Sequence, residues 1–279
     1  MRFGTTKSEN RRREIRRARA RKSAGLLAAA VAGIGLWAGQ ARADSFNWNG
    51  GTSSDWSEPT NWTPSGVPGG STGWPDTAIF GGDISGTQTV VLDYDQITAN
   101  HWMAELRFED ADPGSAGQWV LDAKTASPVE TIRFMSPAIF RVTDTTATIK
   151  TGVQSWYDTL QKLGNGTLVF DAQAQVDLGF NYFDIKEGTV AIAADVFTSQ
   201  WCIVRLGDSS GTITTSATLA YTGSGALAFP KLQYVYANAD KGGIIKVDNA
   251  AASLNLTSTI SNAGAGGSGL TTDVALTKQ

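Results

Sequence analysis

The chain of 279 residues, 41% of them hydrophobic, has apolar content for a sizeable core, which excludes a wholly disordered protein. A single cysteine, Cys202, excludes an intramolecular disulfide. The net charge of −3 hides an asymmetry: residues 1–43 hold 11 of the 23 Lys and Arg but only two acids, Glu9 and Glu14, leaving 12 basic and 24 acidic side chains in residues 44–279, a surface that repels nucleic acid.

The N-terminal segment has three parts. Arginines dominate from Arg11 to Lys22, an apolar run follows from Ala24 to Ala38, and Ala41-Arg42-Ala43 closes it. A basic stretch, an apolar run of about 15 residues and an A-x-A site form a secretory signal peptide, residues 1–43, with cleavage expected after Ala43. The apolar run is short for a spanning helix, which needs ~20 residues. The pair Arg12-Arg13 resembles a twin-arginine signal, but Glu14 and Ile15 stand where that signal wants other residues.

Residues 44–85 are crowded with Gly, Pro, Ser and Thr and carry Trp48, Trp56, Trp62 and Trp74. Turn formers break the segment too often for helices, so it reads as an irregular N-terminal cap. From residue 86 onward short β-branched and aromatic runs recur between turn signals: Thr89 to Leu92, Leu106 to Phe108, Trp119 to Leu121, Ile132 to Met135 and Ile139 to Val142. The window nearest to a helical pattern is Val153 to Leu163, expected as a single helical turn or a loop.

An internal repeat organises the remainder. Gly166-Thr167-Leu168, Gly188-Thr189-Val190 and Gly211-Thr212-Ile213 lie 22 and 23 residues apart, and Gly243-Ile244-Ile245 is a looser fourth. Periods in the twenties indicate stacked units whose strands bury an apolar face against the next coil. The leucine-rich repeat framework is missing, so the expected architecture is all-β, a right-handed parallel β-helix (solenoid) over residues 86–279, with a β-sandwich as the alternative.

Residues from both halves carry a resemblance. Trp48-Asn49-Gly50-Gly51, Asp55-Trp56, Asn61-Trp62, Gly66-Val67-Pro68 and Asp76-Thr77-Ala78-Ile79-Phe80 form one set. The other is Gly164-Asn165-Gly166-Thr167-Leu168-Val169-Phe170 with Lys186-Glu187-Gly188-Thr189-Val190. Together they resemble bacterial autotransporter-associated β-strand repeat proteins over most of residues 46–215. The resemblance implies a secreted, surface-associated β-solenoid. Such proteins are usually longer; this chain ends at Gln279 after the glycine-rich stretch Gly264 to Gly269, without a membrane barrel or a Pro-Glu-Pro sorting tail, and reads as naturally short or truncated. An uncapped last coil is then expected to self-associate end to end.

Chemistry-bearing residues are sparse. Trp48, Trp56, Trp62 and Trp74 are candidate glycan contacts, since sugar rings stack on indole; the competing reading has them packed over the first coil. The acidic runs Asp93 with Asp95 and Glu109-Asp110 with Asp112 offer oxygen ligands of the kind that hold Ca²⁺, but match neither an EF-hand loop nor the G-G-x-G-x-D nonapeptide, so no cofactor is expected. His101 is the only histidine, which excludes a multi-histidine zinc site, and no G-x-S-x-G elbow accompanies it. Cys202, between Trp201 and Ile203, reads as a buried strand residue. The expectation is an exported cell-surface or extracellular module, structural or adhesive and without catalysis. Its partners would be extracellular polysaccharide or a surface protein, with no nucleic acid and no transmembrane span in the mature chain. The alternative is a polysaccharide-binding or polysaccharide-cleaving β-helix.

Overall fold

The computed structural model describes residues 43–262 apart from 52, 71–74, 95–101, 113, 115–116, 126–128, 156–157, 180–181, 199–201, 208–215, 229–231, 238–242, 250 and 256–258. Trp74, Asp95, His101 and the Gly264 to Gly269 stretch therefore lie outside the described residues, as do Gly211-Thr212-Ile213 and residues 1–42. The compact unit containing the described residues is Ala43–Gln279.

The protein is all-β, and its sheets are built from parallel strands. The first sheet runs in the order Trp62–Thr63, Ser45–Trp48, Asp76–Phe80, Met103–Glu109, Thr131–Thr143, Leu160–Leu163, Tyr182–Ile185, Cys202–Leu206, Leu232–Ala237 and Thr259–Asn262. The second runs Thr87–Leu92, Gln118–Ala123, Thr146–Ile149, Thr167–Phe170, Gly188–Ile192, Ala217–Tyr221 and Gly243–Val247. The chain alternates between them, and each strand pairs in parallel with the strand of the same sheet that precedes it, except that Trp62–Thr63 is antiparallel to Ser45–Trp48. Shorter strands lie between a visit to the second sheet and the return to the first: Gly152–Gln154 pairs with Gln175–Asp177, and Val176 bridges to Phe197.

Register makes the core. Along the second sheet, Trp119, Ala147, Leu168, Val190, Leu219 and Ile245 occupy one row, and Val90, Leu121, Ile149, Phe170, Ile192 and Tyr221 another. All twelve are buried. Side chains alternate between the two faces of a strand, so in-register pairing gathers the apolar positions of many strands on one face. Each fully buried large aliphatic or aromatic contributes roughly 1.5–3 kcal/mol. Ile132, Val153, Val176 and Phe197, paired in succession, extend the same core as a further row.

The five short runs all fall within strands, and Ile132 to Met135 and Ile139 to Val142 are two parts of one strand, Thr131–Thr143. Its first part pairs with Gly152–Gln154 and its second with Leu160–Leu163, the exposed Ser136 and Pro137 standing between. The window Val153 to Leu163 holds no helix among its described residues; it contains the end of one strand and all of Leu160–Leu163. The repeat holds at Thr167 and Thr189, which are register partners, but the partner of Thr189 in the next strand is Thr218, with Ala217 opposite Gly188. The 22-residue step therefore matches the register, whereas the 23-residue step from Gly188 stops short of its partner Ala217, 29 residues on. Gly243 does align with Ala217. The first sheet also begins inside the segment 44–85, because Ser45–Trp48 and Asp76–Phe80 are both members of it.

Glycines close the tight corners. Gly164 and Gly188 adopt left-handed backbone, with φ of 83° and 69°. A Cβ on Gly188 would lie 2.5 Å from the carbonyl oxygens of both Gly164 and Gly166. Gly188→Ala is therefore expected to destabilise the protein by at least ~1–2 kcal/mol through the backbone alone, with the clash adding to this. A urea titration followed by circular dichroism measures it; an unchanged midpoint would remove this account of the corner.

Candidate functional site

Chemistry-bearing side chains gather in three places: an aromatic cap, a buried lysine, and the charged and aromatic outer face of the first sheet. The cap is built around Asn61, which is fully buried; its Nδ2 donates to the carbonyls of Ser53 at 3.0 Å and Asp55 at 2.9 Å. These bonds fold residues 53–61 into a compact loop. Its Trp56 backbone N–H donates to the carbonyl of Val91 at 2.8 Å, and the Val91 N–H to that of Ser54 at 2.8 Å. The loop thereby pairs with Thr87–Leu92, the edge strand of the second sheet. Trp62–Thr63 meanwhile covers the edge of the first.

The indoles fill the space beneath. Trp56 is 0% and Trp62 2% exposed. Trp62 packs edge-on against Trp48 at 4.9 Å and Trp56 at 5.0 Å between ring centres, and both Trp56 and Trp62 lie against Phe80, at 5.8 and 5.6 Å. Their N–H groups are satisfied inside the protein, Trp56 Nε1 donating to the Pro68 carbonyl and Trp62 Nε1 to that of Trp56. The expectation that Trp56 and Trp62 present faces to a sugar is corrected on this point, since neither ring reaches solvent. Trp48 is half-buried, and Trp74 lies outside the described residues.

The acidic runs serve the fold in a similar way. Asp93 Oδ1 accepts from the Ser57 N–H at 2.9 Å, and Asp110 Oδ1 accepts from the N–H groups of Ile84 and Asp112. Asp112 Oδ1 accepts in turn from the Gly114 N–H. Among the described residues no three His, Cys, Asp or Glu side chains converge as metal ligands.

Lys162 went unnoticed in the sequence. Register sets it between Phe140 and Ile185 in an inward row, and its side chain is fully buried. Nζ donates to the carbonyls of Leu163 at 3.0 Å, Gly164 at 2.6 Å and Glu187 at 3.1 Å. The Glu187 carboxylate accepts from the Gly164 N–H at 2.6 Å, so one cation and one anion knit adjacent corners together. Burial brings the Lys162 ammonium from its ordinary 10.5 down to about 7; the Glu187 charge opposes this and Arg141 adds to it. The available signal was the alternation Leu160-Gln161-Lys162, which puts a lysine on an apolar face.

The outer face of the first sheet carries ion pairs. Arg107 and Arg141 are register partners, a repulsive arrangement that Glu105 offsets, its Oε1 accepting from Arg141 Nε at 2.7 Å and Arg107 Nε at 3.3 Å. Further along, Arg205 makes a two-pronged pair with Asp184, and its guanidinium carbon lies 4.2 Å from the centre of the Tyr182 ring. Tyr182 is 37% exposed, one of two large hydrophobic residues so exposed among those described, the other being Ile244. This arrangement can hold a polar ligand by stacking and hydrogen bonding; it presents no nucleophile with an adjacent base. No protein-family model, curated protein or solved structure matches the chain.

Two outcomes follow from the buried groups. Between pH 7 and 10.5 the unfolded chain keeps Lys162 protonated while the folded chain does not, so the unfolded state binds more protons and stability rises with pH. Urea midpoints at pH 6.5, 8 and 9.5 should climb in the native chain and climb less in Lys162→Met; parallel pH profiles would contradict the assignment. Trp56→Ala should cost ~3–5 kcal/mol, measured by the same titration, because it empties a large space in the core.

Proposed function

We propose that the chain is an exported, right-handed parallel β-helix that serves as a structural or adhesive module at the cell surface, its function carried by the side wall. The observation that carries this is the register. Two long parallel sheets, visited in alternation, are what a chain wound into successive coils produces, and parallel crossovers are overwhelmingly right-handed. The resemblance to autotransporter-associated β-strand repeat proteins points the same way. In this reading the tightest corners coincide with the quoted motifs: Gly164-Asn165-Gly166 spans one, and Lys186-Glu187 leads into Gly188 at the next. Export rests on the three-part N-terminal segment.

A second reading is favoured by a specific observation. The exposed Tyr182 ring, backed by Arg205 and beside Asp184, resembles the stacking-plus-polar pattern by which aromatic side chains hold sugars. A polysaccharide-binding side wall would use this region and not the cap tryptophans. Cleavage would further require an acid and a base within reach of the bound sugar.

The full chain expressed with its leader in an exporting bacterium tests both readings. The protein is expected in the medium or on the cell surface; retention in the cytoplasm would end the export proposal. The exported protein is then screened by pull-down on bacterial and plant polysaccharides beside Tyr182→Ala. Binding that falls at least tenfold in a folded Tyr182→Ala chain supports the glycan reading. Undiminished binding removes Tyr182 from the site, and no binding favours the structural or protein-adhesive role.

A further inference from the structure

Position 44 sits at a singular place. Its backbone nitrogen donates to Oδ1 of Asp76 at 3.1 Å, and its carbonyl accepts from the Thr77 N–H at 2.9 Å. The next residue, Ser45, is the register partner of Thr77, so residue 44 is held at the mouth of the first parallel pair. Asp76 is 1% exposed; its other oxygen, Oδ2, accepts from the Gly69 N–H at 2.8 Å, and its own N–H donates to the carbonyl of Trp102 at 3.1 Å. Ala43 and Asp44 are exposed. The compact unit begins at Ala43, the residue that ends the A-x-A site.

We propose that cleavage of the Ala43–Asp44 bond is a maturation step that locks the fold, converting the Asp44 backbone nitrogen into an α-ammonium that pairs with the buried Asp76 carboxylate. Water adds across the peptide bond: the carboxylate stays on Ala43, and the amide nitrogen leaves as an amine that takes up a proton. Before cleavage this nitrogen offers Asp76 one neutral N–H. Afterwards it offers a positive charge and three N–H groups from the same point, so the contact becomes charge-assisted without moving the strand. A carboxylate withdrawn from water gains more from a cation than from a neutral amide. The α-amino group ordinarily titrates near 7.7–8.0, so it is largely charged at neutral pH. The leader would then do more than address the chain: its removal strengthens the junction between cap and first coil. This inference rests on the export reading.

The test uses the full chain, exported and processed by its host. Intact mass should place the N-terminus at Asp44. An exported chain beginning elsewhere overturns this inference alone, whereas an unprocessed chain kept in the cytoplasm overturns the export reading and this inference with it. The α-amino group of the exported chain is next acetylated at pH 6.5, where surface lysines are protonated and Lys162 is shielded by burial, and peptide mapping verifies a single acetyl group at Asp44. Acetylation should lower the thermal midpoint by roughly 2–4 °C or more and should leave Asp76→Asn nearly unaffected. Equal shifts in the two chains, or none in either, would overturn the pairing. Should Asp76→Asn fail to fold, the pKa of the α-amino group in the unmodified chain decides: paired with Asp76 it lies above 8, and an ordinary value refutes the proposal.

Discussion

Parallel register partners in the two long sheets lie between 21 residues apart, as at Thr146 and Thr167, and 34 apart, as at Glu105 and Ile139, and the inward side chains of each strand rest on those at the same register positions of its neighbours. No strand can bury its row alone. Neither identity nor equal volume is required along a row of the second sheet, only apolar character: Ala147, Leu168 and Val190 succeed one another in one row, and Ile149, Phe170 and Ile192 in the next. The core is thus a set of columns rather than a set of facing layers, and a misfit in one strand is felt first by the strands directly before and after it.

That constraint explains the treatment of polar groups. Lys162 stands in a column of apolar residues, and it is tolerated because the corner beside it exposes three carbonyls to its ammonium. Columns also need a beginning. The cap supplies one by pairing with the leading edges of both sheets and stacking indoles against Phe80, which itself lies flat on Phe108 at 4.8 Å. The covered part of each edge, at Val91 and at Asn47 and Trp48, is withheld from pairing with a foreign strand, one of the ways natural sheets avoid association.

The strands were legible in the sequence because β-branched and aromatic runs sat between turn formers, and parallel stacking was legible at Thr167 and Thr189. A constant period does not describe the stacking, because register positions Thr87, Gln118, Thr146, Thr167, Thr189, Thr218 and Ile244 lie 31, 28, 21, 22, 29 and 26 residues apart. The cap tryptophans were visible as a cluster, but composition does not say which face of an indole meets water. Only the path through Asn61 turns Trp56 and Trp62 inward. Lys162 was hidden because a lysine on an apolar face reads as a blemish until the carbonyls around it are seen.

Ten residues separate Leu206 from Ala217, where three separate Leu163 from Thr167 and two separate Ile185 from Gly188. Gly188–Ile192 and Ala217–Tyr221 nevertheless pair residue for residue. The number of residues between a strand of the first sheet and the next strand of the second thus varies from two to ten while pairing within the second sheet keeps its register. Inside a strand no such latitude exists, because a single-residue deletion would turn its inward set outward.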